Sequence, residues 1–326
     1  MATPKTFTIA VTGSTGFVGS NVAAILSGRG HTVIGLSRRD VDGAPWPIRT
    51  VDFGSVDSLS DALVGVDAVV HCAIANDFNR LLEDREFAYD SFVGMTTRVA
   101  QAATHTGAQM LYISTDWVMD GTGHLVPETD RGNPVNFYGF LKAMGEQVVR
   151  DLHPVDGAVC RIAGVMGRHQ LQEDGPRSQD VGFGYFVYSL VAALRRGDTF
   201  TVWNGPHVNE VTSPSLAAEI GAQIERVITR RVGGTLHLVG DDAIGRFALA
   251  ELVCEVFGLD HGLLRQGLPP ESELFPAPVP VDSSLGNAHT KQVLGIGPTP
   301  LRALLETFRT ELDTGVATAL TPSERD

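Results

Sequence analysis

Cysteine is scarce in this sequence, and none of it is arranged for disulfide or metal chemistry. Cys72, Cys160 and Cys254 form an odd set without a CxxC pair, and each lies in an apolar run. Disulfide scaffolds and zinc ribbons are therefore not expected, and a reducing compartment is favoured. The 10 histidines lack ligand spacing such as HExxH, so no metal site is expected.

Charged residues are also few. Only 19% of the 326 residues are charged whereas 43% are hydrophobic, which excludes a disordered polyampholyte and leaves enough apolar residues for a core. The net charge of −13 argues against a nucleic-acid or anionic-membrane partner. No apolar run approaches about 18 residues, and residues 1–7 form no apolar signal segment. We therefore expect a cytoplasmic protein.

The order of the expected elements favours an α/β fold. Short β-branched runs alternate with helical stretches in the first half, a pattern typical of a parallel sheet flanked by helices. The expected strands are 7–12, 31–36, 48–53, 67–72, 110–114 and 157–163, and the expected helices are 17–28, 55–63, 82–106 and one after residue 134. Later helical segments are expected at 186–196, 215–229, 246–257 and 301–312, with an irregular proline-rich stretch at 267–280 and a frayed tail at 314–326.

A glycine-rich loop follows the first expected strand. Residues 11–19 (VTGSTGFVG) place Gly13, Gly16 and Gly19 at three-residue intervals between a strand and a helix. Glycine permits a tight turn and lets the backbone approach a pyrophosphate at the helix N-terminus. A glycine turn without a ligand is the alternative, but the setting in the first βα unit favours dinucleotide binding.

The end of the second expected strand indicates which dinucleotide binds. A carboxylate about 20 residues after the loop would bind the adenosine ribose and select NAD. Here the strand ends in Ser37, Arg38 and Arg39, and a guanidinium group matches a 2′-phosphate bidentately. The sequence therefore predicts NADP(H). The alternative is a pair of solvated arginines, with Asp40 holding the ribose.

A tyrosine and a lysine four residues apart follow the fifth expected strand. Ser114 and Thr115 end that strand, and Tyr138 and Lys142 lie one helical turn apart further along the chain. A nearby ammonium group would stabilise the phenolate and lower the tyrosine pKa, which makes Tyr138 a usable acid–base group. Thr115 can donate a second hydrogen bond to the same substrate oxygen. The pattern YxxxK is common alone, but after the glycine loop it predicts a carbonyl-reducing site.

A polar stretch follows the sixth expected strand. Residues 168–180 (RHQLQEDGPRSQD) lack apolar periodicity and contain a Gly-Pro break, which indicates a loop. The loop lies near the carboxyl ends of the strands, where doubly wound folds bind ligands. We predict a lid that orders over the substrate, with Arg168 or Arg177 reaching an anionic group such as a diphosphate. A solvated surface loop is the alternative.

Three blocks of the sequence follow a known pattern. Residues 113–121 (ISTDWVMDG), 127–130 (PETD) and 134–146 (PVNFYGFLKAMGE) match STDYVFDG, E.D and P.N.YG..K..GE. On these residues the sequence resembles the extended short-chain dehydrogenases/reductases, and within them the dTDP-4-dehydrorhamnose reductase branch. Residues 70–73 (VHCA) resemble the fourth-strand motif beside the cofactor in that branch.

The resemblance implies a Rossmann doubly wound parallel sheet with a smaller C-terminal α/β substrate domain. It implies an NADP-binding domain over residues 1–165, with segments at about 200–240 returning to it, and a mainly substrate-binding domain over residues 166–326. Thr115, Tyr138 and Lys142 take the catalytic roles. The implied cofactor-binding residues are Gly13, Thr15, Gly16, Phe17, Val18, Gly19, Ser37, Arg38, Arg39, Asp52, Phe53, Cys72, Ala73, Tyr138 and Lys142. The candidate substrate contacts are Asp116, Trp117 and Arg168, with a capped turn as the alternative role of Asp116.

The sequence departs from the branch on the substrate side. Residues 91–95 (SFVGM) lack the asparagine that is usual in the long helix, and residues 161–166 (RIAGVM) lack the tryptophan of the common RTSWVY stretch. These changes leave the cofactor prediction intact and bear on the identity of the substrate.

The leading hypothesis is NADPH-dependent reduction of a ketone, the 4-keto group of a deoxy-nucleotide sugar. A nucleotide-sugar epimerase or dehydratase is one alternative, but such enzymes recycle a tightly held NAD, and residues 37–39 (SRR) argue against it. A non-catalytic NADP-binding subunit is the other, because the regulatory subunit of methionine adenosyltransferase belongs to the same branch. The expected partners are a small-molecule substrate and a second copy in a homodimer, without nucleic acid or membrane.

Overall fold

The computed structural model describes residues 5–75, 78–172 and 179–324. The strands are β1 (Thr8–Thr12), β2 (Thr32–Ser37), β3 (Ile48–Thr50), β4 (Ala68–His71), β5 (Gln109–Thr115), β6 (Ala158–Ile162), β7 (Val165–Met166), β8 (Phe200–Trp203), β9 (Val211–Thr212), β10 (Ser215–Leu216), β11 (Gly234–His237), β12 (Ile244–Gly245) and β13 (Leu264–Gly267). The helices are α1 (Phe17–Gly28), α2 (Val56–Ala62), α3 (Phe78–Glu83), α4 (Arg85–Tyr89), α5 (Met95–Thr106), α6 (Phe137–Leu152), α7 (Phe186–Arg195), α8 (Ala217–Thr229), α9 (Arg246–Phe257), α10 (Ala288–Leu294) and α11 (Leu301–Thr314). Within these ranges, no helix is both long and apolar enough to cross a membrane.

A parallel sheet of seven strands, in the order β11-β6-β5-β4-β1-β2-β3, forms the centre of the fold. Strands β4 and β5 are buried throughout, as is expected of strands that helices cover on both faces. Side chains of α1 and α8 pack on one face, and those of α2 and α5 on the other. The prediction of a Rossmann-like doubly wound sheet is confirmed.

A second hydrophobic cluster lies in the C-terminal half. It is built from α7, α9 and α11 together with β8 and β13, which pair in parallel. Fully buried Phe186 and Phe308 belong to this cluster. The chain returns to the large sheet through β11, which pairs with β6.

The stretch predicted as one helix over residues 82–106 is divided, so that prediction is wrong in detail. Helix α3 ends at Glu83, and Asp84 caps α4 by accepting a hydrogen bond from the Phe87 amide at 2.9 Å. A π-helical turn, Asp90–Gly94, then joins α4 to α5. A capping aspartate and a π-turn interrupt the regular helical pattern without changing its apolar periodicity, so periodicity alone does not reveal them.

The C-terminal tail is held rather than frayed, which corrects the sequence-based expectation. Buried Glu219 on α8 accepts hydrogen bonds from the amides of Leu320 (2.7 Å) and Thr321 (3.1 Å). The guanidinium group of Arg29 donates to the Thr321 carbonyl oxygen at 2.5 Å. Glu324 pairs with Arg226 at 2.5 Å. A buried carboxylate requires hydrogen-bond donors, and the tail amides supply them to Glu219. The polar tail is therefore held in place by a residue about 100 positions earlier in the chain.

Candidate active site

The glycine loop between β1 and α1 has no room for a side chain at Gly13 or Gly19. Gly13 has a φ of +66°, and a Cβ there would lie 2.9 Å from the backbone of Ala73, just after β4. A Cβ at Gly19 would collide with the Gly13 carbonyl oxygen, so α1 begins tightly against the loop. Gly16 occupies the N-cap of α1 without a side chain, so the first-turn amides can face an anion.

The other predicted loop residues lie at the start of α1. Thr15, Phe17 and Val18 are half-buried. The Phe17 ring centroid lies 5.3 Å from that of Tyr185 and 6.5 Å from that of His169. The loop therefore adjoins segments that follow β7, on the C-terminal side of the chain.

The end of β2 presents both predicted arginines to solvent. Arg38 and Arg39 are exposed, and the Arg39 amide donates to the Ser37 hydroxyl at 3.3 Å. Asp40 is exposed as well, and its carboxylate accepts the Val41 amide at 3.0 Å. The two guanidinium groups lie at the same edge of the sheet as the glycine loop, since β1 and β2 are parallel neighbours.

The two residues predicted after β3 lie in a turn. Asp52 is exposed, and its carboxylate accepts the Gly54 amide at 2.8 Å. Phe53 is half-buried, and its carbonyl oxygen accepts from Arg98 at 2.6 Å. This turn ends β3 earlier than the sequence predicts, because the Asp52 side chain takes over the backbone hydrogen bonding.

The end of β4 packs under the glycine loop. The Ala73 amide donates to the Thr12 hydroxyl at 3.1 Å, and that hydroxyl lies 2.7 Å from Nδ1 of buried His71. Burial lowers the pKa of His71 to about 3, so the imidazole is neutral. Burial raises the pKa of the half-buried Cys72 thiol to about 12, so it lines the site as a thiol rather than as a nucleophile.

Helix α6 brings Tyr138 and Lys142 to the end of β5. Asn136 caps the helix by accepting a hydrogen bond from a first-turn amide at 2.9 Å. The Tyr138 phenol is hydrogen-bonded to the Thr115 hydroxyl. The Lys142 ammonium donates to the Ile113 carbonyl oxygen at 2.5 Å. The structure therefore brings together the three residues that were predicted to be catalytic.

Burial sets the charge states of this group. Burial raises the pKa of Tyr138 to about 12. The hydrogen bond with Thr115 opposes the shift, and the carboxylates of Asp116 and Asp180 add to it. Burial lowers the pKa of Lys142 to about 8. The nearby ammonium group was expected to lower the Tyr138 pKa, but burial has the larger effect. A phenol that keeps its proton at neutral pH can donate it to a ketone oxygen, as a reduction requires.

Buried Asp116 lies beside Thr115 and orients its hydroxyl. The Thr115 hydroxyl donates to Oδ1 of Asp116 at 3.0 Å and accepts from the Trp117 amide at 3.2 Å. The Ser283 hydroxyl donates to Oδ2 at 2.5 Å. Burial raises the pKa of Asp116 to about 6, although both hydroxyl groups oppose the shift. The carboxylate thus supports both the turn after β5 and the threonine that is predicted to be catalytic.

Aromatic rings surround Tyr138. The Trp117 ring meets it edge-on at a centroid distance of 6.1 Å, and the Phe92 ring meets it at 5.9 Å. Phe275, in the proline-rich stretch, lies 5.7 Å from Trp117. Sequence reasoning missed Phe92 and Phe275, because no local signal shows that a π-turn and an irregular segment meet at this tyrosine.

The first residues of the predicted lid are tied to two helices. The Arg168 amide donates to Glu311 on α11 at 3.2 Å, and its guanidinium group donates to the Gly315 carbonyl oxygen at 3.2 Å. Asn21 on α1 donates to the Arg168 carbonyl oxygen at 2.8 Å. Arg177 lies outside the described residues, so the closing of a lid stays a prediction.

The last residues of the same stretch are fixed by a buried arginine that sequence reasoning missed. Arg246 donates to the carbonyl oxygens of Asp180 (3.3 Å) and Val181 (3.0 Å). The Asp180 carboxylate accepts a hydrogen bond from the Gly184 amide at 3.1 Å, which closes the turn before α7. The signal for Arg246 is weak in the sequence, because a lone arginine that begins a helix is usually solvated.

Comparisons with known proteins find a family model and relatives that cover most of the chain. The family model described as RmlD substrate binding domain matches residues 7–314. The probable low-salt glycan biosynthesis reductase of Haloferax volcanii is 28% identical over 87% of this chain and 91% of its own length. The dTDP-4-dehydrorhamnose reductase of Mycobacterium tuberculosis is 28% identical over 90% of this chain and 88% of its own length. A Bacillus anthracis dTDP-4-dehydrorhamnose reductase structure in complex with NADP has a TM-score of 0.76 at 20% identity, covering 94% of this chain and 100% of that one, which shows the shared fold.

Removing the buried charge of Lys142 is expected to stabilise the fold at neutral pH. A fall in pKa from 10.5 to about 8 corresponds to about 3 kcal/mol of unfavourable burial, which is present below pH 8 and disappears as the pH rises towards 10.5. Lys142→Met should therefore be more stable than the wild type at pH 7 by about 1–2 kcal/mol, since the lost hydrogen bond to Ile113 offsets part of the gain. Urea unfolding at pH 7 and pH 10 measures the difference.

Lys291→Met is the matched control for this prediction. Lys291 pairs with Asp241 at 2.8 Å, so its removal should lower stability at pH 7. A stability difference between Lys142→Met and the wild type that grows between pH 7 and pH 10 would contradict the assignment of a destabilising buried ammonium group.

Proposed function

Since the chain belongs to the RmlD substrate binding domain family, we propose that it is an NADPH-dependent ketone reductase that acts on the 4-keto group of a deoxy-nucleotide sugar. The observation that carries the proposal is the meeting of Tyr138, Thr115 and Lys142 at the sheet edge where the glycine loop lies. The reductases from Haloferax volcanii and Mycobacterium tuberculosis support it by their similarity over most of the chain.

The residues at the sheet edge fit NADPH. A Cβ at Gly13 would collide with the backbone of Ala73, so the loop needs glycine at this position. Without side chains at its glycines, the loop backbone can approach a pyrophosphate closely. Arg38 and Arg39 are exposed where a 2′-phosphate would be recognised. Half-buried Cys72 lines the end of β4. When bound, NADPH supplies the hydride for the reduction.

The catalytic residues handle the proton and the orientation of the ketone. Tyr138 donates its phenolic proton to the ketone oxygen, and the Thr115 hydroxyl turns from Asp116 to donate its one proton to the same oxygen. Before the ketone binds, Asp116 holds the Thr115 hydroxyl beside Tyr138 through the bond to Oδ1. Lys142, close behind Tyr138 on the same helix, stabilises the negative charge that develops on the phenolate after proton transfer. The apolar walls of Trp117 and Phe92 keep water from the phenol.

The substrate lies on the C-terminal side in this proposal. The Trp117 ring would pack against the sugar. Asp116 would affect the sugar indirectly, by orienting the Thr115 hydroxyl. Arg168 would have to leave the Gly315 carbonyl oxygen to reach a diphosphate. Residues 1–165, with β11, then form the cofactor half and residues 166–326 the main substrate half. A homodimer and a cytoplasmic location complete the proposal.

Cofactor selection is expected to depend on Arg38 and Arg39. Changing both to alanine removes the bidentate donors for a 2′-phosphate and should weaken NADPH binding by about 1.5–3 kcal/mol for each charged hydrogen bond lost. NADH binding should stay nearly unchanged, because NADH lacks that phosphate. Titration with both cofactors measures the effect, and Arg196→Ala, at another exposed arginine, is the control. Wild-type protein that binds NADH as tightly as NADPH would contradict the prediction.

Turnover is expected to depend on the phenolic proton of Tyr138. A panel of 4-keto nucleotide sugars and simple ketones, followed by NADPH absorbance, should identify a substrate. Tyr138→Phe should lose at least 10²–10⁴-fold in its reduction while NADPH affinity is preserved, since general acid catalysis has that magnitude. Activity within a few-fold of the wild type would remove Tyr138 from the mechanism. A wild type that binds NADPH but reduces none of the panel would favour the non-catalytic subunit.

A further inference from the structure

One face of α6 makes three successive polar contacts with the end of β5. Tyr138, Lys142 and Glu146 are four residues apart, so they lie on one face of the helix over two turns. Tyr138 meets Thr115, Lys142 meets the Ile113 carbonyl oxygen, and Glu146 meets the Ser114 hydroxyl. The position of α6 along β5 is therefore fixed at three points, and two of them belong to the proposed catalytic group.

Glu146 is the most completely bound of these side chains. It is fully buried, and Oε1 accepts from Ser114 at 2.6 Å and from Nε of Arg161 at 2.8 Å. Oε2 accepts from Arg161 Nη2 at 2.8 Å and from Arg150 at 2.7 Å. Burial opposes ionisation, but the bonds from Arg161 and Ser114 and the charge of Arg150 hold the pKa of Glu146 below its usual value. The side chain is therefore an anion at the pH of catalysis.

The positive charge that pairs with Glu146 comes from Arg161, a residue of the central sheet. Arg161 is fully buried on β6, directly opposite Ser114 in the parallel pairing of β5 and β6. Its remaining nitrogen, Nη1, donates to the Asp130 carbonyl oxygen at 2.8 Å and lies 3.3 Å from His237 on β11. The pair of Glu146 and Arg161 thus ties the helix to three neighbouring strands. A shift of α6 would leave two buried charges without partners, which is strongly unfavourable.

We propose that Glu146 is a positioning residue that fixes α6 against β5. In this position the Tyr138 phenol contacts the Thr115 hydroxyl, and the Lys142 ammonium contacts the Ile113 carbonyl oxygen. The inference rests on the proposed reductase function for its kinetic consequences. The YxxxK spacing alone does not call for a carboxylate here, although the matched block of residues 134–146 ends in Glu146. The buried Arg161 and the Ser114 hydroxyl at the end of β5 account for its presence.

The charge of Glu146 also acts on Lys142. The titratable groups around the lysine come from the β4 end, from β5 and from its own helix: His71, Cys72, Tyr112, Tyr138 and Glu146. The His71 imidazole, the Cys72 thiol and the Tyr138 phenol are neutral at pH 7. Glu146 is the carboxylate of this set, and its charge raises the Lys142 pKa against the effect of burial. Loss of that charge should deprotonate Lys142 at lower pH.

Glu146→Gln and Glu146→Asp separate the two effects. The glutamine keeps the length and loses the charge, so the alkaline limb of the pH profile of kcat/KM should move to lower pH by half a unit or more. The aspartate keeps the charge and loses one methylene group, so kcat should fall about tenfold while the alkaline limb stays in place. NADPH affinity should stay within about twofold in both, because the glycine loop is untouched. Glu225→Gln, at a buried carboxylate that binds Arg29 and Ser323 instead, should change neither kcat nor the pH limb.

A measurement without turnover keeps this test independent of the proposed activity. The pH dependence of Lys142 acylation, followed by mass spectrometry in competitive labelling, reports the lysine pKa even if no ketone is reduced. A lower Lys142 pKa in Glu146→Gln supports the proposal. An unchanged Lys142 pKa in that variant, or wild-type kcat in a folded Glu146→Asp protein, overturns it. If Glu146→Gln does not fold, Ser114→Ala removes one contact and keeps the ion pair; wild-type kcat in Ser114→Ala would likewise overturn the proposal.

Discussion

The geometry of the site depends on one requirement: the charged side chains that α6 buries on one face must each have a polar partner. Lys142 and Glu146 are both buried, and a buried ion without a partner is strongly unfavourable. Each finds its partner on the central sheet, Lys142 at the Ile113 carbonyl oxygen and Glu146 at Arg161. These contacts leave the helix a single favourable position. That position places Tyr138 at Thr115.

The parallel sheet explains why the cofactor loop and the catalytic group are close. The carboxyl ends of β1, β2, β4 and β5 meet at one edge, because the order β5-β4-β1-β2 is parallel throughout. Connections run to opposite sides of the sheet at the boundary between β1 and β4, where doubly wound folds form their ligand crevice. The backbone of Gly13 contacts Ala73 at this boundary, so the floor of the crevice is backbone rather than side chain.

Local sequence signals were sufficient to predict the elements that form this edge of the sheet. Gly13 and Gly19 predicted the first turn, and the four-residue spacing of Tyr138 and Lys142 predicted a shared helical face, since both depend on neighbours in sequence. The held tail at Thr321 could not be predicted, because it depends on a buried carboxylate on α8. The π-turn that carries Phe92 was missed for a related reason: its apolar pattern is that of an ordinary helix.

The protonation of the site was the least predictable feature. The sequence shows that an ammonium group is near a phenol, and this alone predicts a lowered tyrosine pKa. The structure adds burial, which raises the pKa of Tyr138 to about 12 and lowers that of Lys142 to about 8. Burial depends on Phe92, Trp117 and the strands around the site, so it follows from the fold rather than from the motif.

Isotope transfer from the cofactor tests whether this site reduces a ketone with a hydride from NADPH and a proton from the protein. The protein would be incubated with NADPH that carries deuterium at both C4 positions and with a 4-keto deoxy-nucleotide sugar, and the product would be analysed by NMR and mass spectrometry. We expect one deuterium on the carbon that bears the new hydroxyl group, with one NADPH oxidised for each product formed. A product without deuterium at that carbon, or an epimerised sugar formed without net NADPH oxidation, would contradict it.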